Sequence, residues 1–211
     1  GSDGADSISG DDNTAGIITV ETAVFAGDTV DYSASTGYVD VDLTKTDAQT
    51  AATGLLLIGY SSGDTLTGIE RVIGSAYGDT FNSATTGASF VANDGNDTAI
   101  GNTGVDAFDF SSNNTSLKLD SISTLAGSDW VRVNQSDLTE VNYAQATINI
   151  DGGTGTRATT TSNNAADITT YSGTDNDTDT LVVVGSTGVN LDLINLHAQN
   201  FERLDVSNDG V

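Results

Sequence analysis

Short runs of β-favouring apolar residues alternate along the chain with turns rich in Gly, Asp, Asn, Ser and Thr. No apolar stripe with the spacing of a helix is sustained over more than a few residues. Alternation of this kind predicts an all-β fold made of short strands. The predicted strands are Thr29–Tyr32, Tyr38–Leu43, Leu117–Leu119, Trp130–Val133, Ala146–Ile150, Leu181–Val184 and Val189–Leu193.

A nine-residue period is the strongest signal in the sequence. Its template is G-G-x-G-x-D-x-U-x, in which U is a large apolar residue. Gly1–Ser9 fits this template, with Asp6 at the aspartate position and Ile8 at the U position. Five consecutive frames then run from Thr65 to Asp109, and their U positions hold Val72, Phe81, Phe90, Ala99 and Phe108. The aspartate positions of the same frames hold Glu70, Asp79, Ala88, Asp97 and Asp106.

The composition adds a chemical expectation to this pattern. The 211 residues include 30 acidic and 6 basic side chains, which gives a net charge of −24, and 26 of the acids are aspartate. Such a charge excludes a nucleic-acid binder that works by neutralising phosphates, and it disfavours docking on anionic lipid. Aspartate among Gly, Asn, Ser and Thr is typical of turns and of loops that ligate calcium through oxygen. With no cysteine, the chain has neither disulfides nor thiolate metal sites.

The nine-residue frames resemble the repeats of the RTX (repeats-in-toxin) family. This resemblance implies a parallel β-roll in which six residues of each frame form a calcium-binding turn and three form a strand with U inside. Turns alternate between two sides, so the resemblance implies that Asp79 and Asp97 share an ion and that Ala88 interrupts the other side. An ordinary β-sandwich capped by Gly/Asp-rich turns is the alternative. The metal ligands implied in residues 1–109 are Asp6, Asp28, Asp79, Asp94, Asp97 and Asp106.

A longer self-similarity relates the two ends of the chain. Asp28-Thr29-Val30 leads to Glu70-Arg71, and Asp179-Thr180-Leu181 leads in the same way to Glu202-Arg203. Before the second unit, Asp175, Asp177 and Asp179 occupy alternate positions, as in the first half of an EF-hand loop, although the Gly and the closing Glu are missing. These three aspartates are therefore predicted calcium ligands, and an acidic loop that binds no ion is the alternative.

Residues 110–173 lack the nine-residue period and hold half of the six basic residues. They are expected to form a β-sandwich-like insert. Strand alternation places Trp130 and Arg132 on one face and the valines between them on the other. One interpretation is a small core capped by Trp130 with Arg132 across it. The other is a recognition surface for a ligand, and its candidate residues are Trp130, Arg132, Tyr143, Arg157 and Tyr171.

The predicted organisation is RTX-like coils over 1–109, a non-repeat β insert over 110–173 and a further coil unit over 174–211, in one compact domain. No H-E-x-x-H, G-x-S-x-G or phosphate-loop motif occurs, so no enzymatic activity is predicted. The resemblance implies a calcium-dependent adhesion module of a longer protein, secreted or on the bacterial cell surface and monomeric, that binds several calcium ions. Its expected partner is an extracellular peptide with a free carboxylate or, second, a glycan. A structural spacer or surface-layer segment and an accessory module of a secreted enzyme are the alternatives.

Overall fold

The computed structural model describes residues 6–10, 27–49, 63–111, 120–134, 149–153, 179–184, 198–199, 201 and 203–205. Within these residues the secondary structure consists of strands, and no helix is long and apolar enough to cross a membrane. The prediction of an all-β fold is confirmed.

Most of the described strands lie in two parallel sheets, and successive strands along the chain alternate between them. One sheet has seven strands: β2 (Thr29–Asp31), β5 (Arg71–Ile73), β7 (Ser89–Val91), β9 (Ala107–Phe110), β11 (Trp130–Asn134), β13 (Thr180–Val184) and β15 (Arg203–Asp205). The other has six: β3 (Asp40–Asp42), β6 (Thr80–Asn82), β8 (Thr98–Ile100), β10 (Ser121–Ser123), β12 (Asn149–Asp151) and β14 (Ala198–Gln199). The remaining two strands, β1 (Ser7–Ser9) and β4 (Thr65–Thr67), pair with each other in a separate parallel sheet.

The register of the two large sheets follows from the nine-residue period. Arg71 is the partner of Ser89, and Ser89 is the partner of Ala107, so neighbouring strands of one sheet lie 18 residues apart. Thr80 and Thr98 are related in the same way in the other sheet. Two frames therefore make one coil, with one strand in each sheet, which is the arrangement of a parallel β-roll.

The core lies between the two large sheets and is built from the central residue of each strand. Side chains alternate across a strand, so a three-residue strand directs one side chain inward and two outward. All five U residues of the consecutive frames are buried, and Ile8 packs against the same core. Phe90 stacks between Phe81 and Phe108, with ring centroids 4.8 Å and 5.5 Å apart. The prediction that the U positions face inward is confirmed.

The β-sandwich-like insert expected over residues 110–173 is not what its described strands form. β10 pairs in parallel with β8 and β12, and β11 pairs in parallel with β9 and β13, so these strands continue the two existing sheets. The number of residues between paired positions grows from 18 to 23 for Thr98 and Ser121, and to 50 for Trp130 and Thr180. Extra residues in the connections hide the period from the sequence without breaking the stack, because lengthening a loop costs little closure entropy.

Candidate functional site: ladders of buried acidic residues

An acidic residue stands immediately before most strands, two positions before the side chain that enters the core. In the series described below, its backbone N–H donates to the carboxylate of the acidic residue in a neighbouring coil. The carboxylates lie at the edge of the sheet. The buried members are Asp64, Glu70, Asp79, Asp97, Asp106, Asp120, Asp129 and Asp179, while Asp6 and Asp28 are half-buried. A row of buried carboxylates is exceptional, since each loses hydration on folding and needs hydrogen bonds in return.

The first ladder precedes the strands of the six-stranded sheet. The N–H of Val39 donates to Asp79 Oδ1 at 2.7 Å, and the N–H of Asp79 donates to Asp97 Oδ1 at 2.7 Å. The N–H of Asp97 then donates to Asp120 Oδ1 at 2.9 Å. Each carboxylate therefore accepts a hydrogen bond from the residue that precedes the neighbouring strand, which joins four successive coils at one edge.

The second ladder precedes the strands of the seven-stranded sheet and repeats the same bond. The N–H of Ala88 donates to Asp106 Oδ1 at 2.8 Å, the N–H of Asp106 to Asp129 Oδ1 at 2.7 Å, and the N–H of Asp129 to Asp179 Oδ1 at 2.9 Å. At the other end, Glu70 Oε2 accepts from the N–H of Asp28 at 2.8 Å.

Ala88 interrupts this second ladder of hydrogen bonds, and the missing calcium ligand that the resemblance implies at this position stays a prediction. It has no carboxylate to offer Glu70, and the N–H of Glu70 donates instead to the backbone oxygen of Asp28 at 3.1 Å. On the other side of Ala88, the Ser83 hydroxyl also donates a hydrogen bond to Asp106 Oδ1. Within the described residues, the hydrogen bonds therefore run unbroken from Val39 to Asp120 on one edge of the roll and are interrupted at Ala88 on the other.

A third, shorter contact of the same kind joins the separate pair of strands. The N–H of Asp6 donates to Asp64 Oδ1 at 2.9 Å, and the Tyr32 hydroxyl donates to Asp64 Oδ2 at 2.7 Å. Burial, followed by this hydrogen bond, raises the pKa of Tyr32, so the phenol keeps its proton and remains a donor. Asp64 thus ties β1 to the body of the roll.

Burial dominates the electrostatics of the ladders. It raises the pKa of Asp97 to about 8 and that of Asp79 to about 6, from an ordinary value of 3.8. The neighbouring carboxylates of Asp79 and Asp120 raise the pKa of Asp97 further, whereas the hydrogen bond from the Asp79 N–H lowers it. Burial also raises the pKa of Asp106, against hydrogen bonds from Ser83, Asn102 and Ala88. Ionisation therefore opposes the folded state above about pH 6 for Asp79 and above about pH 8 for Asp97, unless a cation compensates the charge.

The predicted metal ligands divide into three groups. Asp6, Asp28, Asp79, Asp97, Asp106 and Asp179 belong to the ladders or to the Asp6–Asp64 contact, and Asp79 lies next to Asp97 as expected. Asp94 lies instead in the turn between β7 and β8, beside Asn93, whose φ is 63°. Asp175 and Asp177 lie outside the described residues. Within the described part of the chain, no three acidic or histidine side chains come together as a group that could hold a metal ion.

Four of the buried acidic residues were not among the metal ligands predicted from the sequence, although Glu70 stands at an aspartate position of the frames. These are Asp64, Glu70, Asp120 and Asp129. The signal that finds them is shorter than the nine-residue frame: an acidic residue, any residue, then a core residue, as in Asp120-Ser121-Ile122 and Asp129-Trp130-Val131. Asp120 and Asp129 are themselves nine residues apart, so Thr124–Arg132 is a further frame of the template within the segment that lacks consecutive repeats.

The donor atoms available for calcium are carboxylate and backbone carbonyl oxygens. A Cβ added to Gly74 would lie 2.5 Å from Asp79 Oδ2, 2.8 Å from the Phe81 ring and 3.0 Å from the Ala92 oxygen of the next coil. The same two kinds of oxygen converge at Gly101, on Asp106 Oδ2 and the Thr124 oxygen, and at Gly10, on Asp28 Oδ2 and the Gly68 oxygen. Oxygen atoms of two coils approach each of these glycines too closely for a side chain to fit, and hard oxygen donors of this kind suit calcium.

The candidate ligand-binding residues lie partly on the outward face of the seven-stranded sheet. In β11, Val131 and Val133 are buried while Trp130 and Arg132 point outward and are partly exposed, so the predicted alternation is confirmed. Trp130 is therefore on the face opposite the core. Arg132 Nη1 lies 3.5 Å from Asp109 Oδ2 of the adjacent strand. Tyr143, Arg157 and Tyr171 lie outside the described residues.

Comparison of the chain with protein-family models, curated proteins and solved structures finds no match. The ladders and the outward face are therefore the observations from which a function can be inferred.

Proposed function

We propose that this chain is a calcium-stabilised, ligand-binding module of a secreted or cell-surface RTX adhesin, without enzymatic activity. The observation that carries the proposal is the pair of acidic ladders along the edges of a parallel roll with 18-residue coils. A chain of charge −24 that buries this many carboxyl groups needs protons or cations to compensate their charge. Millimolar calcium outside the cell is the available hard cation.

The residues that would hold calcium are the ladder carboxylates together with carbonyl oxygens of the adjacent coil. They are Asp28 with Gly68, Asp79 with Ala92, and Asp106 with Thr124. Asp97 accepts the N–H of Asp79 in the first ladder and would be a second carboxylate ligand there. Bound calcium would supply positive charge to these edges. The chain's own part is to hold successive coils together through the N–H bonds of the ladders.

Thermal unfolding with calcium and with a chelator tests this proposal. A site present only in the folded state stabilises it by about 2.7 kcal/mol when calcium is at 100 times its dissociation constant. For a domain of this length, each occupied site should raise the melting temperature by roughly 5 to 10 °C. Circular dichroism gives the melting curve, and calorimetric titration gives the number of ions. A melting temperature that ignores both calcium and chelator contradicts the proposal.

A structural spacer is the second candidate function. The observation that favours it is the continuation of both sheets through residues 120–134 and 149–151, where a separate ligand-binding insert was expected. A spacer shares the calcium-stabilised roll but needs no ligand. Saturable binding of a peptide or a glycan by the calcium-loaded chain favours the adhesion module, and no binding favours the spacer.

A further inference from the structure

Within the described residues, the six-stranded sheet ends at β3, which pairs on one side with β6. Successive residues of a strand direct their N–H and C=O groups to opposite sides. The N–H of Leu43, just after β3, donates to the Asn82 oxygen of β6 at 2.9 Å. The N–H and C=O of Asp42 therefore point to the outer edge, where a further strand could pair with them.

The side chain of Gln49 occupies this outer edge of β3. The N–H of Asp42 donates to Gln49 Oε1 at 2.7 Å, and Gln49 Nε2 donates to the backbone oxygen of Asp42 at 3.0 Å. One carboxamide thus gives Asp42 both the acceptor and the donor that a neighbouring strand would supply. Gln49 is 2% exposed, although glutamine is mostly a surface residue. Its side chain is therefore a buried part of the hydrogen bonding of the sheet.

Backbone hydrogen bonds hold Gln49 in this position. Its N–H donates to the Asp64 oxygen at 2.7 Å, and its own oxygen accepts the N–H of Gly63 at 2.8 Å. Asp64 leads into β4, and its Oδ2 accepts the hydroxyl of Tyr32, which is buried in the core. Because the main chain of Gln49 is fixed and its side chain is buried, the carboxamide stays at the edge of β3 in the folded chain.

We propose that Gln49 keeps this chain monomeric, because its carboxamide takes the place of the strand that a second copy of the chain would add to β3. Open strand edges pair with other chains, and proteins cover them for that reason. A second copy fits this edge because strands of the roll already pair with one another in the same length and register, β3 with β6 and β6 with β8. Mutual repulsion between copies of charge −24 opposes such pairing at long range, and the carboxamide removes the hydrogen bonds that would drive it at contact.

Two substitutions of Gln49 test the proposal, in calcium and at physiological ionic strength, which screens the charge of the chain. Gln49→Met keeps nearly the volume of the side chain without its hydrogen bonds, and Gln49→Ala opens the edge to water. Sedimentation velocity measures association from micromolar to millimolar concentration. Both variants should associate reversibly as the concentration rises, whereas the natural chain should remain monomeric over the same range.

Hydrogen exchange of the Asp42 amide shows whether this edge is the one involved. In the natural chain the amide should be protected, although β3 is the last strand of its sheet. In dilute samples of either variant it should exchange about tenfold faster or more, and the protection should return as the chains associate. The amide of Leu43, which bonds to β6, should change only as far as the overall stability of the variant changes.

Thr44→Ala is the matched control. It removes a hydroxyl that donates to Asp42 Oδ1 but leaves both edge hydrogen bonds in place, so this variant should stay monomeric with a protected Asp42 amide. Melting curves establish that each variant is folded, and if Gln49→Met does not fold, Gln49→Ala decides, because water can then bond to Asp42. The proposal is overturned if folded variants of Gln49 stay monomeric at every concentration, if their Asp42 amide exchanges as slowly as in the natural chain, or if they associate while that amide stays unprotected.

Discussion

Replacement of Asp97 by asparagine separates the two roles that a ladder carboxylate can have. Asp97 is 2% exposed, and its Oδ1 accepts the N–H of Asp79 at 2.7 Å. The asparagine side chain retains an acceptor oxygen at the same place but never ionises. If hydrogen bonding is the only role of the side chain, the change is mild; if its charge matters, stability changes with pH and with calcium.

The magnitude follows from the pKa of Asp97. Burial raises it to about 8 from 3.8, and this difference corresponds to about 6 kcal/mol between the protonated and the ionised carboxyl group. Because the folded-state pKa lies above the unfolded one, this stability is fully present below pH 4 and is lost as the pH rises through 8. In chelator, Asp97→Asn should therefore change stability by no more than about 1 kcal/mol at pH 4 and increase it by several kcal/mol at pH 9.

Calcium should reverse the order of the two proteins. In millimolar calcium at pH 7.5, the natural chain gains the free energy of every site, whereas Asp97→Asn loses the site that includes Asp79. Urea unfolding followed by circular dichroism at pH 4, 7.5 and 9 measures these differences. Asp47→Asn removes the same charge from an exposed position and should shift all conditions alike by a few tenths of a kcal/mol.

A fall of about 1 to 3 kcal/mol in the free energy of unfolding of Asp97→Asn, in chelator at pH 9, refutes this reasoning. That is the cost expected when a buried hydrogen bond is broken. Such a loss means that the carboxylate charge is not unfavourable in the ladder. An unchanged calcium stoichiometry in the same variant removes Asp97 from the metal site.

Three further predictions concern the roll itself. Leu125 is 43% exposed and has a left-handed backbone conformation, with φ 69°, like that of Asn93. Because asparagine tolerates this conformation better than leucine, Leu125→Asn should raise the free energy of unfolding by roughly 1 kcal/mol, measured in urea. A loss of stability would mean that packing of the leucine side chain outweighs its backbone strain. Phe90→Ala empties the centre of the phenylalanine stack and should cost about 3 to 5 kcal/mol, while Ile100→Thr, on an exposed strand position, should stay within about 0.5 kcal/mol. Ser83→Ala removes a hydrogen bond that lowers the pKa of Asp106, so NMR titration of that carboxyl should show a higher pKa than in the natural chain, and an unchanged value would contradict the bond.

Local sequence determined which side chains enter the core and how strands alternate between the sheets. The nine-residue frame identified Val72, Phe81, Phe90 and Phe108 as inward residues, and all four are buried. This was predictable because alternation along a strand and the length of a turn depend only on neighbouring residues. The same local rule placed Trp130 and Arg132 on one face.

Only the tertiary structure decided what lies beside each strand where the period lapses. The pairing of Trp130 with Thr180 spans 50 residues, and sequence spacing carries no trace of it because the cost of closing a loop grows slowly with its length. The ladders are likewise tertiary, since the donor that satisfies each buried aspartate is the N–H of another coil. Asp129 and Asp179 form their hydrogen bond only when those coils stack. In the same way, Arg132 finds Asp109 as its ion-pair partner only because the two residues lie on adjacent strands.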